Sequence, residues 1–163
     1  MTGRESCARA MHFCYGHRVM GHKGKCVNLH GHNGEVWIYV TRMHQQQGLD
    51  ELGMVIDFSL LKERIGAWID AHWDHTMILN KNDQETILAL EKLPLDARQR
   101  PPFLLEGNPT AENLAKYLLW SVCPRVLQGL GVVVFKVEFW ESFQSMAIEE
   151  LDPFSPEVLA LYK

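Results

Sequence analysis

The chain has 163 residues, of which 47% are hydrophobic and 22% charged, and its formal net charge is −4. That length suits one domain over residues 1–163, whose folding buries about two-thirds of the surface of the unfolded chain. The negative charge excludes a global attraction to nucleic acid or to an anionic membrane, and no apolar run approaches the roughly twenty residues of a membrane span. Nor do the first twenty residues hold an apolar run fit for a signal peptide, which predicts a cytoplasmic protein. The cysteines Cys7, Cys14, Cys26 and Cys123 show no tight pattern in a chain large enough to fold without staples, which predicts reduced thiols.

Ser6 to Cys14 mixes small, apolar and polar residues and predicts a first strand. After a histidine-rich loop, Glu35 to Met43 is rich in aromatic and β-branched residues and predicts a strand that is apolar on both faces. One face must then lie on helices and the other on something else, a neighbouring subunit being one candidate. His44 to Leu52 reads as a polar loop. Asp57 is a suitable N-cap for a helix in which Phe58, Leu61, Ile65, Trp68 and Ile69 recur at helical spacing as a core stripe. Ala71 to Asn80 alternates apolar and titratable residues in a way that neither periodicity explains.

Between Lys81 and Asn108 a short helix around Glu85 to Glu91 is followed by Pro94, Pro101 and Pro102, and the stretch reads as connection. Thr110 then caps a second helix, with Glu112 in its first turn and Leu114, Leu118 and Val122 as a buried row, and Pro124 should end or kink it. Gly129 to Gly131 turns into Val132 to Trp140, the clearest strand signal, with Glu141 at its end. Gln144 to Glu150 predicts a final strand, and the tail from Asp152 a surface segment ending in a short helix. This order predicts an α+β fold: a four-stranded antiparallel sheet with two helices packed on one face.

Chemistry concentrates between Phe13 and Trp37. His30 and His32 are two apart, so on an extended segment both side chains point to one face, where a single metal can touch both. His17 would join them from the preceding strand end, after a reversal eased by Gly21 and Gly24. Three imidazoles that leave a fourth position free are the donor set of a catalytic zinc. Two plainer readings compete: a His-x-His pair on the wet face of a strand, and a closed structural site in which Cys26 is the fourth ligand.

Several blocks together carry a resemblance. His17 after Phe13, the run from Cys26 to His32, Val55 to Phe58, Asp74-His75 ahead of Leu79-Asn80, Pro109 to Asn113, and Glu141 with Ser145 and Ala147 resemble the 6-pyruvoyl-tetrahydropterin synthase family in the same order. The cysteine separated by three residues from His30-Gly-His32 is similar to the bacterial 6-carboxy-tetrahydropterin synthase (QueD) branch. The resemblance implies a tunnelling fold, or T-fold, in which trimers close their sheets into a β-barrel and pair into hexamers. It also implies a zinc-dependent carbon-carbon lyase in the making of the queuosine 7-deazaguanine precursor. Its substrate would be 7,8-dihydroneopterin triphosphate; its products would be 6-carboxy-tetrahydropterin, acetaldehyde and triphosphate.

On that reading Zn2+ sits on His17, His30 and His32 and makes the C–H bonds of the substrate side chain more acidic. Cys26 is the proton-moving thiolate, and Asp74 with His75 is a second proton carrier, the aspartate either orienting a histidine or relaying through it from across a subunit interface. Glu141 can accept two N–H bonds from the amino-pyrimidine edge of a pterin. Otherwise it is a solvated charge at a strand end. Thr110 and Glu112 either assist pterin binding or serve only as helix cap and first-turn charge. Lys25, with Arg18 and Lys23, supplies local cations for triphosphate, unless these are solvated loop charges. The long 81–108 connection, the tail beyond Glu150 and Trp73 ahead of Asp74-His75 depart from the family pattern.

Overall fold

Two long strands carry the candidate site. β1 (Ser6–His17) and β2 (His30–Arg42) pair antiparallel from Ser6↔Thr41 to His17↔His30, so β1 runs three residues past its predicted end. Met11, Phe13, Tyr15 and His17 alternate onto the buried face of β1, and Val36, Ile38 and Val40 onto that of β2. The computed structural model describes residues 4–44, 48–94 and 100–163, so part of the expected polar loop (45–47) and of the expected connection (95–99) lies outside the described residues.

The first long helix, α1 (58–72), starts at Asp57, whose carboxylate accepts from the Ser59 N–H at 2.7 Å, and includes a π-helical stretch at Lys62–Gly66. Leu61, Ile65, Trp68 and Ile69 are buried as the stripe predicts, but Phe58, the first residue of the helix, is half exposed. The stretch that resisted periodicity resolves into two parts. Trp73 is fully buried against Phe13, Trp68, Phe103, Tyr117 and Phe139, and β3 (Thr76–Asn80) then runs parallel to β1. Helix α2 (Gln84–Glu91) leads on to β4 (Phe103–Leu105), parallel to β3.

Helix α3 (111–126) is capped by the Thr110 hydroxyl, which accepts from the Asn113 N–H at 3.3 Å. It continues through Pro124, where an end or kink was expected. A π-helical turn at Leu118–Val122 just ahead widens the backbone where proline lacks its donor. β5 (Val132–Ser142) and β6 (Ser145–Glu150) complete a sheet of order β4-β3-β1-β2-β5-β6. The four predicted antiparallel strands are therefore present, extended at one edge by two short parallel strands. Leu114, Leu118 and Val122 of α3 join the stripe of α1 in one core against the sheet.

The tail differs from expectation. It ends in α4 (Pro156–Leu161), but Val158 and Tyr162 are buried, and the Tyr162 hydroxyl accepts from the Val134 N–H at 3.2 Å. Among the described residues no helix is long and apolar enough to cross a membrane.

Candidate metal centre

The last pairing of β1 with β2 puts His17 opposite His30, and alternation along β2 brings His32 to the same face. One nitrogen from each of the three rings lies within 4.8 Å of the others, with ring centroids 4.5, 4.9 and 5.0 Å apart. The chain reverses between the strands through a loop closed by the Val19 N–H donating to the Cys26 carbonyl at 2.7 Å. Gly21, at φ +81, takes the left-handed conformation that the turn requires.

Backbone carbonyls choose which nitrogen faces inward. His17 Nδ1 lies 2.6 Å from the Pro109 oxygen and His30 Nδ1 2.7 Å from the Asn28 oxygen, so each donates its Nδ1–H and keeps a lone pair on Nε2. Those two Nε2 atoms face one another at 3.1 Å, two acceptors with no hydrogen between them. His32 Nε2 is buried and has no hydrogen-bond partner among the described residues. Glu141 Oε1 stands 3.3 Å from His17 Nε2 and 3.6 Å from His32 Nε2. Lone pairs gathered in this way, beside a carboxylate, fit a cation between the rings.

Electrostatics favour the neutral ligand form. Burial pushes the pKa of His17 below the ordinary imidazole value, and the charges of His30 and His32 act the same way, against the opposing pull of the Pro109 carbonyl and Glu141. His32 is lowered too, first by burial and then by His30, with Glu141 opposing. Tyr15, packed at 5.2 Å from His17 between ring centroids, is raised by burial and by the Glu141 charge, so its phenol stays protonated.

A cavity of about 220 Å³ adjoins the triad and is lined by His17, Val19, His22, Cys26, Thr110, Ala111, Glu112, Glu141, Ser145 and Met146. Five of the sequence-predicted residues thus meet around one space. Cys26 borders it without belonging to the group of converging metal-binding atoms. Asp74 and His75 do not line it. Asp74 borders a groove of about 1010 Å³ together with His32 and Glu141, and His75 one of about 640 Å³ with His30 and His32.

The Asp74–His75 pair is held firmly. Asp74 Oδ1 accepts from the Cys14 N–H at 2.9 Å, Oδ2 meets His75 Nδ1 at 2.8 Å, and the His75 N–H donates to the Cys14 oxygen at 2.6 Å. His75 has φ +54, a strained value for a residue with a side chain, and its side chain is 76% exposed. Two of the three expected cations diverge. Arg18 makes a bidentate pair with the buried Asp83, at 2.6 and 3.1 Å, so its guanidinium is already engaged. Lys25 is exposed and is not among the residues lining the 220 Å³ cavity. His22 also lines it, and its Nδ1 accepts from the Gly24 N–H at 2.8 Å.

The sequence profile of the 6-pyruvoyl tetrahydropterin synthase family matches residues 6–151. The chain belongs to this family. Within it, a protein of Rickettsia bellii named 6-carboxy-5,6,7,8-tetrahydropterin synthase is 35% identical over 136 residues, covering 83% of this chain and 93% of its own. An Aquifex aeolicus protein of the same name is 34% identical over 126 residues, 76% of this chain and 74% of its own. Among solved structures, an uncharacterized protein from Wolinella succinogenes superposes with a TM-score of 0.74 at 28% identity, covering 93% of this chain and all of that one. The 6-pyruvoyl tetrahydropterin synthase of Caenorhabditis elegans superposes at 0.59 and 20% identity over the same shares, a likeness of fold. The α+β T-fold expected from the resemblance is therefore the fold of this family member.

Proposed function

We propose that the protein is a zinc-dependent 6-carboxy-tetrahydropterin synthase, converting 7,8-dihydroneopterin triphosphate and water to 6-carboxy-tetrahydropterin, acetaldehyde and triphosphate for the 7-deazaguanine precursor of queuosine. The observation that carries the reading is the convergence of one nitrogen each from His17, His30 and His32, with His17 also lining the cavity that holds Cys26, Glu112 and Glu141. Relatives bearing the synthase name at 35% identity support the choice of reaction. The donor set also suits the metal, because nitrogens on one tetrahedral zinc stand roughly 3.3 Å apart, close to the 3.1 Å between His17 and His30.

When bound, zinc supplies Lewis acidity toward the side-chain oxygens of the substrate. The protein supplies the rest. Glu141 and Glu112 accept N–H bonds from the pterin, and Thr110 borders the same wall. Cys26 takes the proton from carbon at one end of the cavity. Asp74 holds the His75 ring through Nδ1, leaving Nε2 to carry a second proton. Because the pair lies outside the cavity of its own chain and His75 is open to solvent, we assign it to the site of a neighbouring subunit in a homo-oligomer, a hexamer built as a dimer of trimers. Lys25 remains a candidate for the triphosphate, and Arg18 is withdrawn from that role by Asp83.

The name of the matching family favours a second reading, in which triphosphate is eliminated to give 6-pyruvoyl-tetrahydropterin. Incubation of the zinc-loaded protein with dihydroneopterin triphosphate, followed by mass analysis, decides between them. Acetaldehyde supports the first reading. Triphosphate release without acetaldehyde supports the second, and no turnover leaves a non-catalytic zinc module.

A further inference from the structure

Asn108 lies just ahead of the α3 cap and lines none of the 220 Å³ cavity, yet its side-chain amide is committed to the histidine loop. The Met20 N–H donates to Asn108 Oδ1 at 3.1 Å, and Asn108 Nδ2 donates to the Met20 carbonyl at 2.9 Å. The two bonds close a ring like a bridge between adjacent strands. They also fix the amide's orientation, since only Oδ1 accepts and only Nδ2 donates. Asn80, the buried last residue of β3, adds a bond from its Nδ2 to the same Oδ1 at 3.2 Å. The Asn108 carbonyl in turn accepts from Asn113 Nδ2 at 2.8 Å and from the Thr110 N–H at 2.9 Å. One residue thus ties together the loop after β1, the end of β3 and the start of α3.

The next residue gives these bonds their consequence. The Pro109 carbonyl receives His17 Nδ1–H at 2.6 Å and so decides that Nε2 points inward. Proline has no N–H with which to anchor itself, so its carbonyl is placed by its neighbours. Met20 stands three residues after His17, and Asn108 one before Pro109. The Asn108–Met20 ring and the His17–Pro109 bond therefore close a single circuit, and loosening one frees the other.

We propose that Asn108 is a positioning residue of the metal centre: by clamping Met20 against the segment that carries the Pro109 carbonyl, it presets the tautomer and ring orientation of His17, and through them the affinity for the metal. The inference rests on reading His17, His30 and His32 as metal ligands, and it does not depend on which reaction the protein performs.

The test uses the full chain, stripped with a chelator and reloaded with zinc or cobalt(II). Asn108→Ala should weaken zinc binding roughly 10- to 100-fold in a chelator competition, the usual loss when a partner orienting a metal ligand is removed. The visible absorption of the cobalt form should weaken and shift with it. A merely structural asparagine would lower the melting temperature and leave both metal readouts unchanged in the folded protein, and that result overturns the proposal. Should Asn108→Ala fail to fold, Asn80→Ala removes one bond to Oδ1 and should shift affinity in the same direction; unchanged affinity there overturns the proposal equally. If the unmodified chain binds neither metal, the metal-centre reading falls and the inference falls with it. If it binds both and the variants match it, only the clamp is wrong.

Discussion

His17 Nε2 faces His30 Nε2 at 3.1 Å, while the opposite nitrogen of each ring is bonded to a backbone carbonyl. Two lone pairs at that distance repel unless a cation lies between them. The unmodified chain should therefore take up one zinc per chain, and His17→Ala, His30→Ala or His32→Ala should lose it while staying folded, as metal analysis after gel filtration would read. Chelation should also lower the melting temperature, since free zinc at about a thousand times its Kd stabilises the folded state by about 4 kcal/mol.

Cys26 borders the cavity without joining the converging ligand atoms. Cys26→Ala should keep its zinc and lose about 10²- to 10⁴-fold in kcat, the usual contribution of a positioned proton carrier. Loss of zinc and fold together in this variant would instead identify a closed structural site.

For Asp74, burial tends to raise the pKa, but the Cys14 N–H, His75 and Arg100 outweigh it and hold the carboxyl below the ordinary aspartate value of 3.8. A carboxylate depressed on folding contributes stability that is fully present above 3.8 and fades as the pH falls through the lower folded value. Asp74→Asn should therefore be destabilised at neutral pH, and the gap to the unmodified chain should close in strong acid. Urea midpoints measured across that range would read the effect.

Arg18 and the buried Asp83 are 65 residues apart in sequence and bonded at both guanidinium positions. Arg18→Met would leave a buried carboxylate unpaired and should cost about 3 kcal/mol, seen as a lower urea midpoint.

Tyr162 is buried beyond the stretch that the family profile matches, with its hydroxyl on Val134. Tyr162→Ala should cost about 3–5 kcal/mol, the usual penalty for truncating a large core aromatic. An unchanged midpoint would mean that the tail is a surface segment after all.

The core helices were predicted from a periodicity to follow. The apolar stripes of α1 and α3 and the strands β1, β2 and β5 each repeat a burial pattern along one element. β3 and β4 carry no such pattern. Strands of three and five residues are too short for an alternation to show, and Thr76 to Asn80 follows directly on the titratable Asp74 and His75. In the site, His17, His30 and His32 were legible from spacing, whereas Glu112, Thr110 and Glu141 were marked for it only by the resemblance, because a helix cap, a first-turn charge and a strand-end charge are ordinary without a ligand. The carbonyls of Pro109 and Asn28 were not, because a backbone acceptor leaves no mark in the identity of its residue.

The sequence by itself determined what neighbours within a few residues decide: two imidazoles on one face of a strand, the caps at Asp57 and Thr110, and the rows of apolar side chains that must be buried. Only the tertiary structure decided which way His17 turns, what Arg18 binds and where Tyr162 goes. Each of those depends on a partner at least 28 and as many as 92 positions away, and only the folded packing brings such partners within bonding distance.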